Sequence, residues 1–300
     1  MKSFLSVGEC MVELLRRGDG SLAEGFAGDT FNTAWYARRL LGDDWSVAYA
    51  SCIGQDALSA RMAGFIAAEG IDTAFLRRIE GRSVGLYMIA VEEGERSFTY
   101  WRDQSAARLL GEDGAWLDTA MRGRDVIHLS GITLAILPAH SRIRLLNALR
   151  RARDAGSRIA FDTNIRPRLW SSEAAARDAL TSAAGIADWV LPSFDEESAL
   201  FGDASPAATL ARYRAAGAGC IAVKNGAEPV RLWSAAEGEV QVTPAAAEPV
   251  DTTAAGDSFA AAFLAARLKG ASLSTAGARA SRLAAKVIAA PGALVRAAVE

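Results

Sequence analysis

The sequence predicts an α/β protein, with a mainly parallel sheet covered on both faces and a small antiparallel sheet set apart from it. Two observations predict the body. Strand-like apolar runs alternate with helical patterns through most of the chain, which argues for repeated βαβ units. Those runs are mostly continuous rather than alternating, as strands buried on both faces should be. A third observation predicts the small sheet. Two segments, near 11–17 and 84–102, carry period-two alternation with aromatic and charged residues.

In chain order, strands are expected at Phe4–Val7, Val47–Cys52, Val126–Leu129, Arg158–Asp162, Trp189–Leu191 and Cys220–Val223. Helical spacing fills the gaps between them, at Leu58–Glu69, His140–Ala155, Ser172–Ala184 and Thr209–Ala216. In the second unusual segment, Val84–Val91 and Arg96–Arg102 flank a Glu92–Glu95 turn and read as a hairpin. A small sheet standing off an α/β body covers a site rather than building the core. There is no internal repeat and no low-complexity linker, so residues 1–300 read as one domain with a lid.

Composition excludes several functions. An apolar fraction of 51% supports a substantial core, and a net charge of −2 without a dense Lys/Arg run argues against nucleic acid as a partner. No uninterrupted apolar stretch approaches the ~18 residues of a membrane span. Residues 1–10 include Lys2 and Glu9 and lack the form of a secretory signal. Cys10, Cys52 and Cys220 are scattered without metal-ligand spacing and fit buried thiols in a reducing, cytoplasmic setting. With only His128 and His140, a histidine zinc site or a Ser-His-Asp triad has little material.

The chemistry concentrates in a few polar segments. Asp251-Thr-Thr-Ala-Ala-Gly-Asp257 opens a helix whose apolar face is Phe259, Phe263, Leu264 and Leu268 and which stops near Gly270. Small residues at a helix start expose backbone N–H groups and the positive end of the dipole, which suits phosphate. Asp257 stands beside that anion site, where a carboxylate needs a chemical task; the segment could equally be a plain alanine-rich helix with an aspartate near its N-cap. Ala27-Gly28-Asp29-Thr30-Phe31-Asn32 precedes another helix and offers Gly28 for close approach, with Asp29 and Asn32 for hydroxyls; Asp29 or Thr30 could equally be a plain N-cap. Asn164-Ile165-Arg166-Pro167 directly follows a strand, where Arg166 can grip carboxylate or phosphoryl oxygens or simply form surface ion pairs. Lys224-Asn225-Gly226 follows another strand, and Tyr100-Trp101-Arg102 ends the hairpin, as an anion clamp or as a cross-strand packing pair with an exposed arginine. Neither the Gly-x₄-Gly-Lys-Ser/Thr nor the Gly-x-Gly-x-x-Gly fingerprint is present, nor are the catalytic-loop and magnesium motifs of protein kinases.

The 251–257 and 27–34 segments resemble the carboxyl-terminal and amino-terminal signatures of the ribokinase-like (PfkB) sugar kinases, in the expected order across essentially the whole chain. Gly85-Leu86-Tyr87, Phe98–Arg102, Leu129–Ile132 and Asn164–Trp170 are most similar to the 2-keto-3-deoxygluconate kinase branch. The resemblance implies a three-layer α/β/α fold with a β-sheet lid. It implies transfer of the ATP γ-phosphoryl group, with Mg²⁺, to the 6-hydroxyl of 2-keto-3-deoxy-D-gluconate; a monovalent cation stays open. Asp257 would be the base, and Ala254, Ala255 and Gly256 would supply the anion hole. Gly28, Asn32, Tyr87, Tyr100, Arg102, Arg166 and Asp257 would hold the sugar acid. Asn164, Lys224 and Gly226, with Ala254 and Gly256, would face ATP. Glu196 would act on magnesium through water. Lid sheets of this family often meet a partner subunit, which implies a homo-oligomer.

Two positions depart from the family pattern: Ala254 stands where glycine is usual, and Ser193 where an asparagine precedes the magnesium-related glutamate. The branch accepts alanine at the first. The alternatives are a kinase for a neutral sugar such as fructose, a kinase for the galactose-derived epimer of the keto acid, and a non-catalytic sugar-binding protein of the same fold.

Overall fold

The computed structural model describes residues 1–92 and 95–300. Its strands are β1 (Lys2–Val7), β2 (Met11–Arg16), β3 (Leu22–Ala27), β4 (Trp45–Ile53), β5 (Leu76–Arg78), β6 (Gly85–Glu92), β7 (Glu95–Trp101), β8 (Val126–Ser130), β9 (Arg158–Asp162), β10 (Trp189–Val190), β11 (Cys220–Val223), β12 (Val230–Ser234) and β13 (Gly238–Val242). Its α-helices are α1 (Asp29–Leu40), α2 (Ala57–Ala68), α3 (Gly114–Met121), α4 (Gly131–Ala135), α5 (Ala139–Asp154), α6 (Glu173–Ala184), α7 (Phe194–Phe201), α8 (Pro206–Ala215), α9 (Ala255–Leu268) and α10 (Leu273–Ile288). Helix starts follow local chemistry. Asp56, Asp113, Ser172 and Ser205 each accept a first-turn N–H, and Pro206 occupies the first turn of α8 where its missing donor costs nothing.

Nine strands form one sheet in the order β13-β12-β11-β10-β9-β8-β1-β4-β5. The run from β11 to β5 is parallel, and β12 and β13 extend it as an antiparallel edge. Adjacent residues on the central strands point to opposite faces, and both faces are buried. Phe4 packs with Trp35, Tyr36, Phe259 and Phe263 from α1 and α9, while Leu5 packs with Leu117, Leu145 and Leu180 from α3, α5 and α6. This is why the strands read as unbroken apolar runs. The chain leaves β1 toward β4 and β5, then returns to β8 on the other side of β1. That reversal opens a crevice at the carboxyl ends of β1 and β8, where α/β sheets bind ligands. None of the helices among the described residues is long and apolar enough to cross a membrane.

The second sheet has four strands in the order β3-β2-β6-β7. It is mixed, which corrects the antiparallel expectation: β2 runs parallel to β6, while β2–β3 and β6–β7 are antiparallel. Between β2 and β6 the chain passes through β3, α1, β4, α2 and β5, so no hairpin joins the two directly and forces a reversal. The predicted Glu92–Glu95 turn includes positions 93 and 94, outside the described residues. Strands β3, β5, β12 and β13 were not predicted.

Candidate functional site

The crevice is lined by residues that the parallel strands deliver at their carboxyl ends. Asp162 closes β9, Ser130 closes β8, and Lys224 follows β11. Lys224 Nζ donates to both oxygens of Asp162, at 3.0 and 2.7 Å. Burial pushes the Asp162 carboxyl up even though Lys224 opposes the shift. Asp29, in the first turn of α1, accepts from Thr30 N (2.8 Å), from Asn164 Nδ2 (2.8 Å) and from the Ser130 hydroxyl. Thus helix α1, strand β8 and the loop after β9 are tied together by one carboxylate.

Asp257 sits in the first turn of α9 and is partly accessible. Asn32 Nδ2 donates to its Oδ2 at 2.8 Å, and Asn32 Oδ1 in turn accepts from Gly28 N at 3.3 Å. Burial pushes the Asp257 carboxyl up to about 8, with the neighbouring charges of Asp29 and Asp162 adding to the shift; the Asn32 hydrogen bond and Lys224 pull the other way. A carboxylate tuned to that range is matched to proton abstraction near neutral pH.

The loop that leads into α9 is held by Asp251, which accepts from Thr253 N (3.0 Å), Thr253 Oγ1 (2.7 Å) and Gly292 N (2.6 Å). Ala254 takes the left-handed conformation, φ 60° and ψ 14°. Among the described residues only Asn164, at φ 30°, and Ala254 are non-glycine with positive φ, and both lie in this crevice. Such backbone persists where surrounding contacts over-determine it, commonly at functional sites. Among the described residues no protein acceptor meets the N–H groups of Ala254, Gly256 and Asp257. The Ala255 N–H instead closes a turn on Thr252 O at 3.2 Å. Of the three N–H groups expected to form an anion hole, those of Ala254 and Gly256 are thus without a protein acceptor among the described residues, while that of Ala255 is engaged in a turn. A methyl group added to Gly256 would lie 3.3 Å from Lys224 Nζ, so the ammonium stands beside these donors.

The remaining predicted residues divide into two groups. Arg166 and Glu196 form an ion pair, and Glu196 Oε2 also accepts from Ile165 N at 2.8 Å. Burial works against the Arg166 charge, but Glu196 and the fields of Asp29 and Asp257 outweigh it and raise its pKa. The Arg166 side chain is half exposed, and Asn164, two residues before it, bonds Asp29 in the crevice. Gly226 sits in a turn beyond Lys224, at φ 58°. Tyr87 and Tyr100 are cross-strand neighbours on the second sheet, with ring centroids 5.8 Å apart. The Tyr87 hydroxyl donates to Glu13, while Tyr100 is half exposed. Arg102 is not at an exposed lid edge: it is buried and paired with Glu9, because its position at the end of β7 falls where that strand rejoins the body. Gly28 has Glu9 O 2.2 Å from where a Cβ would stand, which no side chain tolerates.

The description pfkB family carbohydrate kinase matches residues 1–297. The chain belongs to this family. Its curated relatives include the 2-dehydro-3-deoxygluconokinases of Escherichia coli strain K12, 39% identical, and Dickeya dadantii strain 3937, 38% identical. Each alignment covers 98% of this chain and 97% of the relative. Among solved structures, a PfkB protein from Polaromonas sp. JS666 is 28% identical, with a TM-score of 0.83 and 96% of each chain covered.

For a pfkB-family chain, sequence reasoning located the α9 start but passed over three side chains. The sequence presents Asp29 as a hydroxyl partner or a cap, Asp162 as the strand end that opens the polar segment 162–170, and Glu9 only as a charge among the first ten residues. Position carried a signal for two of them: Glu9 lies just beyond the end of β1, and Asp162 is the last residue of β9.

Proposed function

We propose that this chain transfers the γ-phosphoryl group of ATP to the 6-hydroxyl of 2-keto-3-deoxy-D-gluconate, with Asp257 as the general base. The observation that carries the reading is the Asp257 carboxylate beside unpartnered N–H groups at the start of α9, in a chain aligned end to end with curated 2-dehydro-3-deoxygluconokinases. Asp257 takes the hydroxyl proton as O6 bonds to the γ-phosphorus. The bond from that phosphorus to the bridging oxygen breaks, and ADP leaves with the electron pair. Phosphoryl transfer asks the protein mainly for positioning and charge stabilisation. The N–H groups of Ala254, Gly256 and Asp257, the dipole of α9 and the Lys224 ammonium provide both.

Mg²⁺ arriving with ATP would neutralise phosphate charge. No cluster of three or more His, Cys, Asp or Glu side chains among the described residues would hold the ion directly. Glu196 fits the indirect role: its oxygens receive Ile165 N and Arg166, and a carboxylate oxygen retains a second lone pair for a metal-bound water. Ser193, in the usual asparagine position, precedes α7 without capping it.

On the sugar side, the second sheet acts as a lid, and Tyr87, Tyr100, Arg102 and Arg166 recognise the acid. The test is an ADP-release assay with ATP·Mg²⁺ across both keto-deoxy acids, fructose and ribose. Keto-deoxygluconate should exceed fructose in kcat/KM by at least about a hundredfold, since buried polar groups left unpaired discriminate strongly. Equal or better use of fructose would reject the substrate assignment.

A further inference from the structure

We infer that Glu9 is a positioning and specificity-determining residue, which holds the Arg102 guanidinium where the second sheet joins the body so that it reads an acidic sugar. The inference rests on the proposed role of Arg102 in recognising the substrate carboxylate.

Glu9 lies on the outgoing connection, between the end of β1 at Val7 and the start of β2 at Met11. Arg102 begins the returning connection after β7, and its carbonyl accepts from Ser105 N at 3.0 Å as the chain re-enters the body. Arg102 Nη2 donates to Glu9 Oε2, so one ion pair ties the two crossings together. Both side chains are deeply buried, at 8% and 2% exposure. A buried pair of this kind is weak grounds for stability, since desolvation offsets the attraction.

The pair is also incompletely satisfied. Among the described residues Glu9 Oε1 and Arg102 Nε are buried without partners, although most buried polar side-chain atoms have one. Glu9 thus engages only Nη2, and the guanidinium's other nitrogens are not held by it. A guanidinium recognises a carboxylate through two nitrogens in fixed geometry, so anchoring one end prepares the other. Two glycines enclose the anchor. A side chain at Gly85 would meet Glu9 Oε1 at 2.8 Å and the Arg102 Cβ at 3.3 Å, and Gly28 approaches the Glu9 carbonyl. Glu9 is therefore packed between the two segments proposed to hold the sugar.

The test compares Glu9→Gln, Glu9→Asp, Arg102→Ala and Glu9→Gln/Arg102→Ala by steady-state kinetics, with thermal melts to confirm folding. Glu9→Gln should raise KM for the keto-deoxy acid about tenfold, while the double variant matches Arg102→Ala alone because the two residues act as one unit. Its kcat should stay within about twofold and its KM for ATP should not move, the pattern of lost uniform binding. Glu9→Asp keeps the charge and should fall between wild type and Glu9→Gln; it decides the matter if Glu9→Gln does not fold. An unchanged acid KM in the Glu9 variants, an equal rise in the ATP KM, or additive effects in the double variant would overturn the inference. If Arg102→Ala raises the acid KM and the Glu9 variants do not, Glu9 alone is wrongly assigned. If Arg102→Ala leaves it unchanged, the reading of Arg102 fails and this inference fails with it.

Discussion

The start of α9 and the second sheet are built on opposite plans. At α9, polar and charged groups from different elements bind one another: Asp257 to Asn32, Asp162 to Lys224, Asp29 to Ser130 and Asn164. On the second sheet, Phe98, Tyr100 and Trp101 of β7 stand 42–55% exposed, beside side-chain contacts such as Tyr87 to Glu13. The first arrangement fixes atoms before any ligand arrives. The second offers aromatic surface that a ligand can complete. On the proposed function, chemistry and substrate choice would fall to different regions, and variants in the two should fail in different ways.

The largest effect is expected at Asp257. Asp257→Asn should lower kcat by about 10²–10⁴-fold, the usual contribution of a general base, while sugar binding measured by calorimetry stays near wild type. Full turnover in that variant would remove the base from the mechanism. The raised carboxyl pKa adds a signed pH dependence. Burial and Asp29 favour the protonated form, so the free enzyme loses its base, and kcat/KM falls, as pH drops through about 8. For stability the sign is opposite. A carboxyl raised on folding favours the folded state below its unfolded value, and this is lost as pH rises through about 8. Asp257→Asn should therefore raise the melting temperature more at pH 9 than at pH 4.

The second sheet should respond in KM. Arg102→Ala is expected to raise KM for the keto-deoxy acid by about 10–100-fold, with little change for a neutral sugar, as befits a charge-assisted contact. A matching loss with fructose would show that Arg102 serves folding rather than recognition, and the division between the two regions would blur.

The smallest effect concerns backbone. Ala254 holds φ 60°, which costs an L-residue roughly 1–2 kcal/mol. Ala254→Gly relieves that strain but adds unfolded-chain entropy worth about 0.4–1 kcal/mol. The melting temperature should rise by about 1–3 °C, with kcat within about twofold. A fall in stability would mean the alanine methyl makes contacts that outweigh the strain.

Much of this architecture was legible because it rests on local physics. Strands β9 and β11 match their predicted bounds because continuous apolar runs and the carboxyl-end polar residues mark both ends. The α9 start was legible for the same reason: small residues before an apolar helical face have few other uses. The direction of β2 against β6 was not legible, because it depends on the path taken between them rather than on either strand. Strand β3, with Gly25 in its middle and an exposed Leu22 at its start, carries little apolar signal. The Glu9–Arg102 pair was illegible for a related reason. Neither side chain announces the other until the folded connections bring residues 93 apart in sequence into contact. The engagement of Ala255 N–H by Thr252 similarly follows from the turn geometry, not from residue type.

Gly256 gives the site a last constraint. Its backbone is helical and has no need of glycine's conformational freedom, since it is absent from the positive-φ residues. What an alanine there would disturb is the neighbour 3.3 Å away, the Lys224 ammonium already held by Asp162. The missing methyl is thus room kept for a cation. A side chain at 256 would ask Lys224 to give by a few tenths of an ångström, and that shift would fall on its ion pair with Asp162 at the end of β9.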